Sequence, residues 1–416
     1  MNISGEAVAV SGTGCISAAG LSLEAHRQAL AGKATSCVPV PDWLFHSSLP
    51  YPIFAAPEDP LLPETREFLA NRLPDSSLAA ITRTSLLIIE AVLQALAHAD
   101  IDVASLATSR VGICLGTTVG CAFNDEPYYR SWRQGERPEL TPVFRYLTSN
   151  ISSVLQMVLG VRGPALVVTN ACASGTDAIG IAKGWVESGR CDLAIAGGGD
   201  DMSRIAYNGF ASLMLADTKP CRPFDVSRQG LNLGEGAGIM ILEKDAVVRK
   251  RGALPLGWVH GYGTASDAWH PTAPHPQGRG LQQAFIHALK NGEQPIDKSD
   301  IALINAHGTG TPSNDFAETA AIAAVYEGSQ LPPFVSTKGI TGHTLGAAGG
   351  LEAVFTLMAL RDGTTRGSCR CETPDPGFLC CPVLENEQIS LSGRIGISQS
   401  LAFGGGNSCL VLEAAS

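Results

Sequence analysis

The chain has 416 residues, 45% of them apolar and only 16% charged, and 29 basic against 39 acidic side chains leave a net charge of −10. That balance excludes a disordered chain, which needs high charge and few apolar residues, and a generally basic nucleic-acid binder. No run approaches the ~18 apolar residues of a membrane-crossing helix, and the first basic residue is Arg27, too late for the charged start of a secretory signal.

In chain order, short apolar and β-branched runs predict strands at 7–10, 111–115, 165–169, 193–196, 238–242, 301–305 and 408–412. Helical spacing predicts helices over 84–100, 175–189 and 350–363, each closing on Gly or Asp. Their alternation predicts an α/β chain with largely parallel sheets covered on both faces. The polar stretch 123–142 reads as an exposed excursion. A strand, a small-residue turn and a helix run from residue 165 (ALVVTNACASGTDAIGIAKGW), and the pattern returns from residue 333 (PFVSTKGITGHTLGAAGGLEAVF). The echo predicts two halves of like topology, 1–250 and 251–416, with the two turns face to face across a cleft. Twelve cysteines scattered through a long chain without a signal read as cytosolic thiols.

Asn170–Gly175 closes a strand and opens a helix, so Cys172 stands by a helix N-terminus. Unpaired amides and the helix dipole there favour a thiolate, a nucleophile's form, although a buried structural cysteine is the commoner fate of one among twelve. His307 lies in NAHGTGTP after a strand, and His343 lies in KGITGHTLGAAGG, on the turn that mirrors Cys172. Glycine crowding around each ring lets a backbone or a substrate approach closely. One cysteine turn and two histidine turns point to a shared site.

Other signals carry less. Gly12-Thr13-Gly14 after a strand starts a dinucleotide fingerprint, but Ser17 stands where the third glycine belongs. Cys369, Cys371, Cys380 and Cys381 do not have a common zinc spacing, and His270 and His275 sit in a Pro-rich stretch and read as loop structure.

Five ordered motifs, RGPALVVTNACASG, RPFDVSRQGLNLGEGAG, NAHGTGTPSNDFAE, STKGITGHTLGAAGG and AFGGGN, resemble those of the elongating, type II β-ketoacyl-acyl-carrier-protein synthases of the thiolase superfamily. The resemblance implies a thiolase-like αβαβα sandwich of two pseudo-repeated halves, the first carrying the nucleophile and the second the two histidines. It implies a decarboxylative Claisen condensation in which Cys172 holds the acyl chain as a thioester. His307 and His343 would stabilise the enolate released from a malonyl thioester. The backbone amides of Cys172 and Phe403 would form an oxyanion hole, with Phe403 also gating the acyl pocket. Lys338 and Glu318 would form a supporting ion pair, with Asp315 and Glu352 in the same network. Thr309 and Thr311 would hold a phosphopantetheine arm, and Val119 would set pocket depth.

No metal or organic cofactor is implied, because both substrates arrive on the phosphopantetheine of an acyl carrier protein. The resemblance also implies a cytoplasmic dimer formed through the strand before Cys172, either of like chains or with a chain-length factor. An acidic carrier calls for a local basic patch, for which Arg130, Arg133, Arg137, Arg204 and Lys219 are candidates. Ala402-Phe403-Gly404-Gly405-Gly406-Asn407 departs from the usual GFGGTN, Met214 replaces a basic residue, and Trp269 and the Cys-rich tail are further departures. These make an aryl-polyene or polyketide-type assembly line as apt as fatty-acid elongation. Three other readings compete: a non-catalytic chain-length-factor partner, a superfamily acyltransferase of another reaction type, and an unrelated Cys/His hydrolase. The first is opposed by the presence of Cys172, His307 and His343, and the last leaves Lys338 and the glycine-rich end unexplained.

Overall fold

A computed structural model of the chain describes every residue other than 1–5, 33–34, 79–80, 119, 121–125 and 293. Its strands are β1 (Val8–Ile16), β2 (Val111–Gly116), β3 (Ala165–Val168), β4 (Leu193–Asp200), β5 (Gly236–Lys244), β6 (Gly257–Ser266), β7 (Ile301–Asn305), β8 (Phe334–Val335), β9 (Thr364–Arg366), β10 (Gln388–Ser390), β11 (Ile395–Leu401) and β12 (Gly406–Ala414). Ten of them form one sheet in the order β3-β2-β4-β5-β1-β6-β12-β11-β7-β8, and β9 and β10 form a separate two-stranded antiparallel sheet.

That order mirrors itself about the junction of β1 and β6, where only Ala9 with Trp258 and Val10 with Gly257 are paired. On either side the outer strands run parallel: β2 with β3 and β4, and β7 with β8 and β11. The inner strands β5, β1, β6 and β12 pair antiparallel. The expectation of largely parallel sheets is corrected to a mixed sheet. Strand character is readable from apolar runs, but direction depends on which strands meet, and the chain returns to the middle of the sheet by hairpin-like as well as crossover connections.

All seven predicted strands and all three predicted helices are present. The period of β6, with glycines at 257, 261 and 263 closing against neighbouring backbone, hid that strand from a search for apolar runs. Two helices, Ser174–Glu187 and Ala348–Asp362, are buried on nearly every side, which marks them as the middle layer. Helices Arg83–His98 and Arg279–Lys290 cover the outer faces of the sheet, on β1 and β5 and on β6 and β12. This is the αβαβα layering.

The two middle helices meet at their N-termini. A Cβ added to Gly175 would lie 2.7 Å from the Gly350 amide nitrogen, and one on Gly349 would lie 2.1 Å from Thr176 Oγ1. Only glycine allows that approach, and it brings together the two turns that lead into these helices. Gly12 and Gly14 serve a like purpose under Arg83–His98, where a Cβ would meet Ala95 O at 2.1 Å and Ala91 O at 2.0 Å. The Gly-Thr-Gly of β1 is therefore a packing device. Among the described residues, no helix is long and apolar enough to cross a membrane.

Candidate active site

After β3 the chain turns sharply, with Ala171 at φ 43°, a left-handed conformation that costs a non-glycine residue energy. Ser174 holds the turn: its Oγ accepts from Asn170 N at 2.8 Å and donates to Ala171 O at 2.6 Å. Cys172 emerges two residues before the middle helix and is buried. The His343 turn is clamped from a different segment. His343 N donates to Asn232 O at 2.8 Å, and Gly234 N donates to His343 O at 2.9 Å. His307 follows β7, and Glu318, on the helix Pro312–Val325, accepts from His307 N at 2.5 Å and Gly308 N at 2.7 Å.

The three turns converge. His343 Nε2 lies 3.0 Å from Cys172 Sγ, and the His307 and His343 rings stand edge to face with centroids 5.1 Å apart. The partners of the two Nδ1 atoms decide the tautomers. Leu345 N donates to His343 Nδ1 at 3.3 Å, and the Lys338 ammonium sits 3.0 Å from His307 Nδ1. With Nδ1 accepting in both rings, each neutral imidazole carries its proton on Nε2. Burial, then the Lys338 charge, holds both histidines well below their ordinary value, so both are neutral N–H donors at physiological pH.

Two expectations are corrected. Lys338 does not pair with Glu318. Its ammonium contacts the Glu352 carboxylate and donates to His307 O at 2.7 Å, while Glu318 spends its oxygens on the two amides and on Gln399 Nε2 at 2.7 Å. Nor is the Cys172 thiol acidic. Burial pushes it up to about 12, against the opposing pulls of Lys338 and of the Phe403 amide, which bonds to the sulfur. A helix start lowers a thiol only where water or charge also supports the anion, and here desolvation is the larger effect.

The supporting carboxyls are buried as well. Burial raises Glu318 and Glu352 to about 7 and Asp315 to about 6. Asp315 accepts from Phe224 N at 2.8 Å and Gly310 N at 3.2 Å, with Arg228 Nε 3.3 Å away. It thus holds the loop that presents Thr309 and Thr311, whose hydroxyls lie 2.8 Å apart. A cavity of about 160 Å³ joins Cys172, both histidines, Thr309, Thr311 and Phe403. Phe403 stacks on Phe210 at 5.3 Å, and Phe210 in turn meets the edge of His343 at 6.4 Å. Val119 lies outside the described residues.

Sequence reasoning missed Asp200, Asn232 and Phe210. Asp200 accepts from Thr117 Oγ1 at 2.5 Å, Thr118 N at 2.7 Å and Gly346 N at 2.7 Å, tying the loop after β2 to the His343 turn. Asn232 lies inside the quoted RPFDVSRQGLNLGEGAG stretch, which was the signal available for it.

Of the basic candidates, Arg130, Arg133 and Arg204 line one cavity around Glu126, with Arg130 and Arg204 both bonded to that carboxylate; Arg137 and Lys219 do not line it. His270 Nδ1 accepts from Thr272 N at 3.1 Å and Ala273 N at 3.0 Å, a purely local role.

Among the described residues, Cys172, His307 and His343 form the one His/Cys/Asp/Glu group with ligand atoms within 4.8 Å of one another, but the ammonium on His307 opposes a dication there. Asn305 Oδ1, Ser398 Oγ, Gln399 Oε1 and Glu352 Oε2 are buried without hydrogen-bond partners. Asn305 and Ser398 are register partners across β7 and β11, and Asn305 Nδ2 donates to Glu352 O at 3.1 Å.

Residues 5–247 match the model of the β-ketoacyl synthase N-terminal domain, and residues 256–372 match that of the β-ketoacyl synthase C-terminal domain. The chain belongs to the β-ketoacyl synthase family. By family it is an acyl-condensing enzyme. It is 33% identical over 335 residues to 3-oxoacyl-[acyl-carrier-protein] synthase 2 of Staphylococcus aureus, covering 78% of this chain and 80% of the relative. Among solved structures, the ishigamide ketosynthase/chain length factor superposes with a TM-score of 0.89 at 29% identity, covering 99% of each chain. A ketosynthase in complex with its chain length factor from Xenorhabdus doucetiae gives 0.81 at 29% identity, covering 98% of each chain.

Proposed function

We propose that this β-ketoacyl synthase elongates acyl chains carried on an acyl carrier protein, by decarboxylative condensation with a malonyl thioester. The observation that carries the proposal is the single face presented by Cys172 Sγ and His343 Nε2, 3.0 Å apart, with His307 beside them.

In the first half-reaction Cys172 sulfur attacks the acyl thioester. His343 Nε2 faces that sulfur, the thiol proton passes to the departing phosphopantetheine thiolate, and the new thioester oxygen meets the amides of Cys172 and Phe403. In the second, the malonyl thioester loses CO₂, and the two Nε2–H groups donate to the enolate oxygen. The enolate carbon then attacks the Cys172 thioester and expels its sulfur. Each preorganised donor contributes about 3 kcal/mol to such a step. Lys338 and Glu352 keep His307 neutral and oriented, Glu318 and Asp315 fix the backbone of its loop, and Thr309 and Thr311 receive the pantetheine arm. No metal or organic cofactor takes part in this chemistry.

The reading extends to assembly and pathway. Division near residue 250 is supported by the mirrored strand order. Dimerisation through β3 is supported by its place at the sheet edge, with Leu166 exposed, and by the wholly unburied helices Glu126–Arg133 and Thr141–Thr148, which present Trp132, Phe144 and Leu147. The partner is a second copy or a chain-length factor. The likeness to ketosynthases solved with such factors supports the latter; we read the setting as a cytoplasmic polyene or polyketide-type pathway as readily as fatty-acid elongation.

Intact-mass measurement after incubation with an acyl carrier thioester tests the roles. Wild type acylates, Cys172→Ala does not, and His343→Ala acylates without condensing. Condensation surviving in His343→Ala overturns the assignment.

A further inference from the structure

Behind the catalytic turns lies a second cavity of about 420 Å³, which shares no lining residue with the pocket at Cys172. Its walls are the end of the helix Leu23–Leu30, the strand pair β9–β10 and Val335–Thr337, which lead into Lys338. Its volume is that of a small-molecule site.

Arg366 and Arg370 both line it. Arg366 donates to Ala31 O at 3.0 Å, and Arg370 donates to the carbonyls of Cys221, at 2.7 Å, and Gly339. Among the described residues neither makes an ion pair, whereas Arg27 on the same wall is neutralised by Asp362. Glu385 is the lining carboxylate outside that pair, so two guanidiniums face one carboxylate and the cavity is positive in a chain of net charge −10. Thr337, 6% exposed, lines the cavity with a buried Oγ1 that has no hydrogen-bond partner. Arg370 is held at φ 62°, a conformation arginine adopts only when its surroundings impose it.

We propose that this cavity binds a phosphate-bearing anion, its phosphate on the planar forks of Arg366 and Arg370 and the rest of the molecule against Leu30 and Ile340. Guanidiniums match phosphate oxygens in pairs, and neutral carbonyls are weaker partners that a dianion displaces. A bound phosphate competes with Gly339 O for Arg370, so the site abuts the turn that presents Lys338.

Isothermal titration of the full chain with inorganic pyrophosphate and with ADP, at matched ionic strength, tests this. Saturable binding of at least one probe is expected. Equal affinities assign a free phosphate group as the recognised feature, and tighter ADP assigns a nucleotide. Arg366→Ala should weaken binding at least tenfold and Arg366→Lys less, while Cys172 acylation in both variants stays at the wild-type level and reports an intact fold. Absence of saturable binding by either probe, or unchanged affinity in Arg366→Ala, overturns the proposal.

Discussion

Lys338 Nζ stands 3.0 Å from His307 Nδ1 and contacts the Glu352 carboxylate from the same position, with all three side chains buried. One ammonium thereby fixes a tautomer, lowers the basicity of a ring and neutralises a carboxylate.

Replacing it should separate the two half-reactions. In Lys338→Ala, Cys172 acylation is expected to persist while condensation falls ~100-fold, the scale of a lost preorganised contact. Glu352, already raised to about 7, loses its cation and takes up a proton at neutral pH. Breaking a buried pair from one side costs about 3 kcal/mol or more, readable as a lower urea midpoint. His307 also loses a neighbour that held its basicity down, so the acid limb of the condensation profile should move to higher pH. An unmoved limb would remove the electrostatic part of the argument.

Cys172 is a buried thiol near 12 and not a standing thiolate. Its alkylation by iodoacetamide should rise ~tenfold per pH unit from pH 6 to 9. A plateau below pH 8 would mean that the helix amides outweigh desolvation after all.

Neutral His307 and His343 have folded values well below the unfolded value of 6.5. Below pH 6.5 the unfolded chain binds protons that these rings refuse, so their share of stability is present above 6.5 and is lost as the pH falls. The double variant His307→Gln/His343→Gln should lose less stability between pH 7 and 5 than wild type, by chemical denaturation at each pH.

Glu318 accepts from four donors, His307 N, Gly308 N, Gln399 Nε2 and, at 3.4 Å, Asn314 Nδ2. Glu318→Gln puts an amide NH₂ against N–H groups, and a decrease of about 1–3 kcal/mol in stability is expected, with a slower condensation step. Equal stability would show that the loop holds His307 without it.

Gly175→Ala places a methyl 2.7 Å from Gly350 N and 2.8 Å from Gly346 O, both backbone atoms. Overpacking of this kind costs about 1–3 kcal/mol, and here it also pushes the Cys172 and His343 turns apart. Cys172 acylation should drop with the urea midpoint, whereas Gly184→Ala, inside the same helix with nothing within 4 Å of its added Cβ, should leave acylation unchanged and raise the midpoint slightly.

Strand runs, helix spacing and turn chemistry are local properties, so the order of residues alone was enough to place Cys172 and His307 on turns that follow strands and His343 on a glycine-flanked turn ahead of a helix. Pairing is not local. Glu318 and Glu352 are both buried acids on helices near His307, and only their positions in space made Glu352 the partner of Lys338 and Glu318 the holder of two amides. The same holds for Cys172: its place at a helix start is written in the sequence, but the depth at which it is buried, which raises its thiol, arises when two middle helices close on each other through Gly175 and Gly350. Desolvation and charge pairing depend on distance through the fold, and distance through the fold was decided by packing.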